Sequence, residues 1–155
     1  MPDHFLDGYL PYLLHRADSL LSVDLHHELA EEHVQVSEWR VLTVLRDRGP
    51  LSIGALAERT MLPQPTVTHA VARLERKGYV ARSSGRSDRR QRFVSNTEEG
   101  AALASTLVER AAALEDAALA ELGADERARL VRVLQELIGG LEERPTSPGS
   151  HETSS

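Results

Sequence analysis

The sequence predicts a mainly α-helical fold that contains one small β-hairpin. Aromatic residues make up only 4% of the 155 residues, so Leu, Val and Ala must build most of the core, and these are residues typical of helices. Apolar residues recur at helical spacing near both ends of the chain. The period changes to two only after Gly78. At this length we expect one folded domain with appended helices.

The N-terminal segment, residues 5–33, is predicted to form one long amphipathic helix, because leucines recur through it at intervals of three and four residues. Pro11 should kink this helix or break it early. A second helix is expected after Ser37, which is a suitable N-cap. Gly49 and Pro50 should end it, as glycine followed by proline commonly does.

Two further helices are predicted in the centre of the chain. Ser52 should cap a short helix that ends before Pro63, and the next helix should begin near Pro65. The apolar residues of this second helix lie on one stripe, which predicts a buried face: Val67, Ala70, Val71 and Leu74. Its polar residues are then left toward solvent or a partner: Gln64, Thr66, Thr68, His69 and Arg73.

A β-hairpin is predicted after this helix, with strands at residues 79–82 and 92–95 around a long basic loop. Thr97 should cap the first of two C-terminal helices, which occupy residues 97–142 and are separated at Gly123. Residues 144–155 are polar and rich in Pro, Gly and Ser, so we expect a disordered tail.

The charge is unevenly distributed along the chain. The net charge is −6, yet residues 64–92 contain eight Lys or Arg and only two Asp or Glu, which leaves ten basic and 22 acidic residues elsewhere. A basic segment in an acidic body is typical of a local phosphate-binding surface. A solvated basic loop without a partner is the alternative.

Residues 52–96 have the order of a winged helix-turn-helix domain, so we assign residues 37–96 to DNA binding. Gln64, Thr66, Thr68 and His69 are short enough to approach base edges in the major groove, and Arg73 can reach a base or a phosphate. The hairpin loop offers arginines for the neighbouring minor groove: Arg86, Arg89 and Arg90. An ordinary exposed polar helix is the alternative interpretation of the same residues.

An acid at the tip of a basic loop weakens its attraction for phosphate unless the acid has a local role. We therefore expect Asp88 to accept a hydrogen bond from Arg90 or from a loop amide, and so to order the loop before DNA arrives.

The most specific stretch is SDRR at residues 87–90, followed by strand residues and by TEEG at residues 97–100. Together with VSEWRVLTVL, LAERTMLPQPTVTHAVARLERKGYV and the flanking helices, it resembles the MarR family of bacterial winged-helix transcription regulators over residues 6–141. The resemblance implies a homodimer joined by its terminal helices on a pseudo-palindromic, double-stranded DNA operator. It also implies that Asp88 and Arg90 are the wing acid and the minor-groove arginine.

The terminal helices carry more Leu and Ala than one small domain can bury, which independently predicts pairing with a second chain through residues 5–33 and 97–142. An intrachain bundle, or a helical module that binds another protein, is the alternative.

The resemblance further implies release of DNA by a small ligand, often aromatic and anionic, bound between the terminal helices and the winged domain. An Arg and a His can pair with a carboxylate while an aromatic ring stacks on the ligand. The candidate residues are Tyr12, His15, Arg16, Trp39 and Arg40.

A metal-responsive regulator is a further alternative, because His27 and Glu31 are one helical turn apart with His26 and His33 nearby. We assign no metal site, cofactor or catalytic residue. The chain lacks cysteine, an HExxH motif, a Gly-rich phosphate loop and a nucleophile elbow, so we expect no enzyme. No apolar run approaches the ~18–20 residues that span a bilayer, so we expect a cytoplasmic protein without a membrane partner.

Overall fold

A computed structural model describes residues 4–85, 87–88 and 90–144, which form helices and one two-stranded antiparallel sheet. In chain order the elements are α1 (Phe5–Gly8), α2 (Leu10–Leu21), α3 (Val23–Glu31), α4 (Val36–Arg48), α5 (Ile53–Thr60), α6 (Gln64–Arg76), β1 (Val80–Ser84), β2 (Arg92–Asn96), α7 (Glu98–Ala118) and α8 (Ala124–Glu142). The chain divides into two compact units after residue 116, the second of which contains α8. The predicted mainly α-helical fold with a hairpin is confirmed.

The N-terminal segment is not one continuous helix, and the early break predicted at Pro11 is confirmed. Pro11 lies in the first turn of α2, and the break falls at Tyr9, whose backbone is extended. This follows from proline chemistry, because proline is tolerated in a first turn but not inside a helix. The second interruption, at Ser22, is mild: its N–H donates to the Asp18 carbonyl oxygen (3.0 Å), and its own carbonyl accepts from the His26 N–H (2.9 Å).

Helix α4 begins at Val36, two residues earlier than a cap at Ser37 would allow. Its N-cap is Gln35 rather than Ser37. The reason is Glu38, whose Oε2 accepts a hydrogen bond from the Gln35 N–H (2.8 Å) and thereby completes a capping box. The Ser37 hydroxyl is consequently available for a longer-range contact, which is described below.

The helix-turn-helix follows the predicted order. Ser52 Oγ accepts from the Ala55 N–H (3.2 Å) and caps α5. The turn passes through Met61, which has left-handed backbone (φ 56°) and ends α5. Pro63 then takes the N-cap position of α6, so the second helix begins at Gln64.

The hairpin pairs Val80 with Asn96 at its base and Ser84 with Arg92 at its far end, so both strands extend past their predicted ends. Leu51 forms an isolated antiparallel β-bridge with Val94 of β2. Its N–H donates to the Val94 carbonyl (3.0 Å), and its carbonyl accepts from the Val94 N–H (2.8 Å). The hairpin is therefore attached, through β2, to the chain segment that precedes α5.

The main core lies beneath the helix-turn-helix, and the predicted inner stripe of α6 is confirmed as fully buried. This core consists of Val41, Leu42, Leu45, Leu56, Val67, Ala70, Val71, Leu74, Val80, Val94 and Ala104. A second cluster joins the end of α3 to α7 through Leu29, Val34 and Leu107.

The start of α7 packs closely against the chain that leaves α6. Thr97 Oγ1 donates to the Gly78 carbonyl (2.7 Å) and accepts from the Gly100 N–H (3.1 Å), which confirms Thr97 as the cap. A Cβ on Gly100 would overlap the carbonyl oxygen of Tyr79. Glycine is therefore required where the two backbones meet.

The terminal helices differ from the core in that α2 and α8 contain no buried residue. Gly123 separates the two C-terminal helices as predicted. Helix α7 ends at Ala118, however, whereas the helix was predicted to continue as far as Gly123. Of the predicted tail, residues 145–155 lie outside the described part of the chain. No helix in the described part combines the length and apolar character that a membrane crossing needs.

Candidate DNA-binding surface

The N-terminal half of α6 presents small polar side chains, as predicted. Gln64, Thr68 and His69 are exposed, and Thr66 is half-buried. Thr68 Oγ1 donates its hydrogen to the Gln64 carbonyl (2.9 Å). Thr68 therefore offers its methyl group and a hydroxyl lone pair, rather than a hydroxyl hydrogen, to anything that approaches the helix.

Arg73, in the second half of α6, was predicted to lie toward solvent or a partner, but its guanidinium contacts α4 instead of extending freely into solvent. Its contact with a base or a phosphate stays a prediction. Its Nε donates to Glu38 Oε1 (3.1 Å), and its Nη2 donates to Ser37 Oγ (3.1 Å). Only 27% of its side chain is exposed. The physical reason is that Glu38 is buried beside α6, and a buried carboxylate requires a cation.

Glu38 was missed by the sequence interpretation. Its side chain is 0% exposed, and both its oxygens also accept from Lys77 Nζ, at 3.1 and 3.0 Å. Burial alone would raise the pKa of Glu38, but the Gln35 amide, Lys77 and Arg73 together outweigh that effect and hold the pKa below its ordinary value. The sequence signal that could have identified Glu38 is the capping-box spacing, in which an acid follows a potential N-cap residue, here Gln35, by three positions.

In the loop of the hairpin formed by β1 and β2, which we call the wing, the hydrogen bond predicted for Asp88 is confirmed. Asp88 Oδ1 accepts from the Arg90 N–H (2.8 Å), so the partner is a loop amide rather than a guanidinium. The Asp88 carbonyl accepts from the Gln91 N–H (3.1 Å), and the Gln91 carbonyl accepts from the Gly85 N–H (2.8 Å). Arg90 is exposed. Arg86 and Arg89 lie outside the described residues.

The predicted ligand residues divide into two groups. On α2, His15 and Arg16 are exposed and Tyr12 is half-buried. On α4, Trp39 packs against the Leu29, Val34 and Leu107 cluster, and Arg40 Nη1 donates to the Thr60 carbonyl at 3.4 Å. Trp39 and Arg40 therefore already have partners within the chain.

The histidine cluster lacks the geometry of a metal site. His26, His27, Glu31 and His33 are all exposed. Across the described ranges, no three His, Cys, Asp or Glu side chains form a group that could hold a metal ion. Helix α3 ends at Glu31, and His33 takes left-handed backbone (φ 55°), which separates it from the helical spacing. The metal-responsive alternative is not supported.

A helix-turn-helix followed by a two-stranded antiparallel hairpin is the arrangement of a winged-helix DNA-binding protein. The MarR family model matches residues 34–91. The homoprotocatechuate degradative operon repressor of Escherichia coli is 30% identical over 130 residues, which cover 81% of this chain and 82% of that protein. The chain therefore belongs to the MarR family of transcriptional regulators.

Solved structures agree with this assignment. A MarR family transcriptional regulator from Silicibacter pomeroyi is 35% identical, with a TM-score of 0.79 over 90% of this chain and 99% of that one. The structure of NadR in complex with 4-hydroxyphenylacetate is 27% identical, with a TM-score of 0.76 over 88% of this chain and 97% of that one.

Proposed function

We propose that this protein is a transcriptional repressor that binds a pseudo-palindromic operator as a homodimer and leaves it when a small aromatic carboxylate binds. The observation that carries the DNA-binding mode is the exposed polar end of α6, which rests on a fully buried apolar stripe. A helix held in this way can enter a groove without giving up its own core contacts.

Recognition would combine base reading by α6 with anchoring by the wing. The Gln64 amide suits adenine, and the Thr68 methyl group suits the thymine methyl. The Arg90 N–H donates to Asp88 Oδ1, and this bond would reduce the conformational entropy that is lost when Arg90 enters a minor groove. In the dimer, two α6 helices about 34–36 Å apart would meet successive major grooves on one face of the DNA.

The homodimer is supported by the exposed apolar side chains of the terminal helices. Leu10, Leu13 and Leu14 of α2 are 39–49% exposed, and five large apolar residues of α8 are exposed to a similar degree. Burying apolar surface is worth about 25 cal/mol per Å², so a second copy that covers these faces gains substantial free energy. We accordingly assign residues 5–33 and 97–142 to dimerisation and residues 37–96 to DNA binding.

The effector part of the proposal is supported by NadR, whose solved complex contains an aromatic carboxylate. Arg16 and His15 are the exposed cationic candidates for a carboxylate, and Tyr12 supplies a half-buried ring. Trp39 and Arg40 complete the proposed site. An effector that prefers a dimer with wrongly separated α6 helices would shift the population away from DNA.

The first experiment is fluorescence anisotropy with duplex DNA from upstream of the protein's own gene, titrated with salt. Wild-type protein should bind in a sequence-preferring manner that weakens steeply with salt. Arg90→Ala should reduce affinity by about tenfold and flatten the salt slope by about one unit. Arg46→Ala is the matched control, because Arg46 contacts Ser105 on α7 and should leave both quantities unchanged.

Failure of the wild-type protein to prefer any DNA sequence at low salt would contradict the proposal and favour a helical protein-interaction module. An unchanged affinity and slope for Arg90→Ala would contradict the wing assignment alone.

The effector is tested by adding 4-hydroxyphenylacetate and related aromatic carboxylates to the preformed complex. One compound should release the DNA, and Arg16→Ala should weaken that release while leaving the affinity of the ligand-free protein for DNA unchanged. A compound that binds free and DNA-bound protein equally tightly would contradict the population-shift mechanism.

A further inference from the structure

One buried carboxylate connects three parts of the chain. Glu38, at the start of α4, contacts Arg73 of α6, Lys77 immediately after α6, and the Gln35 amide that precedes α4. Ser37 adds a contact to Arg73. Helix α6 is thus attached, through its second half, to the chain segment that enters α4.

This attachment extends to the end of the N-terminal helices. Lys77 Nζ also donates to the His33 carbonyl (2.8 Å). The His33 N–H donates to the Ala30 carbonyl (3.1 Å), and the Val34 N–H donates to the Leu29 carbonyl (2.8 Å), so both residues terminate α3. Residues 33–35, which we call the α3–α4 junction, are therefore hydrogen-bonded both to α3 and to the Glu38 cluster.

The carboxylate at the centre of this connection is fully buried, whereas its partners Arg73 and Lys77 are 27% and 35% exposed. Removing one partner of a buried charge leaves the other charge uncompensated, which is strongly unfavourable. Arg110 provides a contrast within the same chain: it pairs α7 with Glu28 and Glu32 of α3, but all three side chains are 35–39% exposed. Exposed pairs of this kind contribute little and rearrange easily. The two attachments therefore differ in their acids, because Glu38 is 0% exposed whereas Glu28 and Glu32 are 35% and 38% exposed.

We propose that Glu38 is a positioning residue for DNA reading, which holds α6 through Arg73 and Lys77 and ties its orientation to the α3–α4 junction. Arg73 and Lys77 then serve orientation rather than phosphate binding. This inference rests on the proposed DNA-binding function. It implies that a change in the position of α3 is transmitted to α6 through the junction.

Glu38→Gln tests the proposal, because glutamine keeps the shape and the bond to the Gln35 amide but loses the charge. We expect the ratio of operator affinity to scrambled-DNA affinity to fall by about tenfold or more. Affinity for scrambled DNA should stay equal or rise, since Arg73 and Lys77 become available to phosphates. Arg110→Ala is the matched control and should leave the ratio within about twofold.

A folded Glu38→Gln protein whose affinity ratio matches that of wild type would overturn the proposal, even if its thermal stability is reduced. If Glu38→Gln does not fold, Arg73→Lys replaces it, because lysine retains the charge but has one terminal nitrogen in place of the Nε and Nη2 with which arginine contacts Glu38 and Ser37. The same fall in the ratio is expected, and an unchanged ratio is again contradictory.

Amide hydrogen exchange without DNA separates this inference from the function on which it rests. Glu38→Gln should speed exchange at the Val34 and Lys77 amides together, because the cluster joins the segments that contain them. Faster exchange at only one of the two, or at neither, would overturn the connection. Absence of operator binding by the wild-type protein would instead count against the proposed function.

Discussion

The central helix-turn-helix and the helices near the chain ends differ in how far their apolar side chains are exposed. Leu56, Val67 and Leu74 of the central helices are 0% exposed. Leu130, Val133 and Ile138 of α8 are 45–53% exposed. The central region therefore buries its apolar side chains within one chain. Helices α2 and α8 contain no buried residue, so the single chain leaves their apolar side chains in contact with water.

This difference indicates which interactions hold each region. Close packing inside one chain makes the central region sensitive to added volume. The terminal helices leave apolar side chains exposed in the single chain, and in the proposed dimer a partner surface would cover them, so they should be sensitive to added charge. The two regions should consequently respond to different substitutions and in different measurements.

The largest effect is expected from Gly100→Ala, which breaks the self-contained region. The new Cβ would overlap the Tyr79 carbonyl oxygen, and a backbone atom cannot move aside as a flexible side chain can. We expect a loss of about 3 kcal/mol or more in the free energy of unfolding, measured by urea denaturation.

Gly54→Ala is the control for this substitution. Gly54 lies in α5 with open space around a Cβ, so alanine should stabilise the protein by about 0.5–1 kcal/mol through helix propensity. Equal responses at the two glycines would contradict the close contact at Gly100.

The second prediction concerns the apolar face of α8. The double substitution Leu130→Glu and Ile138→Glu would bury unpaired charges in the proposed dimer interface. The dimer dissociation constant should rise by about 100-fold or more, measured by sedimentation.

Met61→Glu provides the matched control. Met61 is also a large exposed apolar side chain, at 83%, but it lies in the turn of the helix-turn-helix. Its substitution should leave the dissociation constant unchanged. A dimer that survives the double substitution would require another interface.

The smallest effect is expected on the free energy of unfolding at acidic pH, through the carboxylate of Glu38 in the central region. Since the folded pKa of Glu38 lies below its ordinary value of 4.5, the ionised form stabilises the fold above that pH, and this contribution is lost as pH falls through the lower folded pKa. The unfolding free-energy difference between wild type and Glu38→Gln should therefore shrink as pH falls below 4.5.

Glu109→Gln, at an exposed acid on α7, controls for general charge effects in the same denaturation series. A wild-type advantage over Glu38→Gln that stays constant into strong acid would contradict the role assigned to the buried carboxylate.

Much of the candidate site could be predicted from the sequence because its signals are local. The cap at Ser52, the buried stripe of α6 and the hydrogen bond from Arg90 to Asp88 each involve residues within one or two turns of the chain. Short-range sterics and hydrogen bonding determine such features, so residue type and spacing were sufficient.

The orientation of Arg73 could not be predicted in this way. Its partner Glu38 is 35 residues away, and both candidate environments, solvent and a buried carboxylate, suit an arginine on a polar helix face. The predicted N-cap of α4 was wrong for a related reason. Serine is a more favourable N-cap residue than glutamine when the position is considered alone, but Glu38 accepts a hydrogen bond from the Gln35 N–H and so places the cap at Gln35.

The sequence by itself determined the order of the elements from α4 to α8 and the basic loop, because these follow from periodicity, caps and motif spacing, and its resemblance to the MarR family indicated the class of regulator. Tertiary structure alone decided that Glu38 is buried, that Arg73 and Lys77 turn toward it, and that Gly100 meets the Tyr79 carbonyl. Such contacts depend on the packing angles between α4, α6 and α7. Those angles result from the whole core rather than from any local propensity.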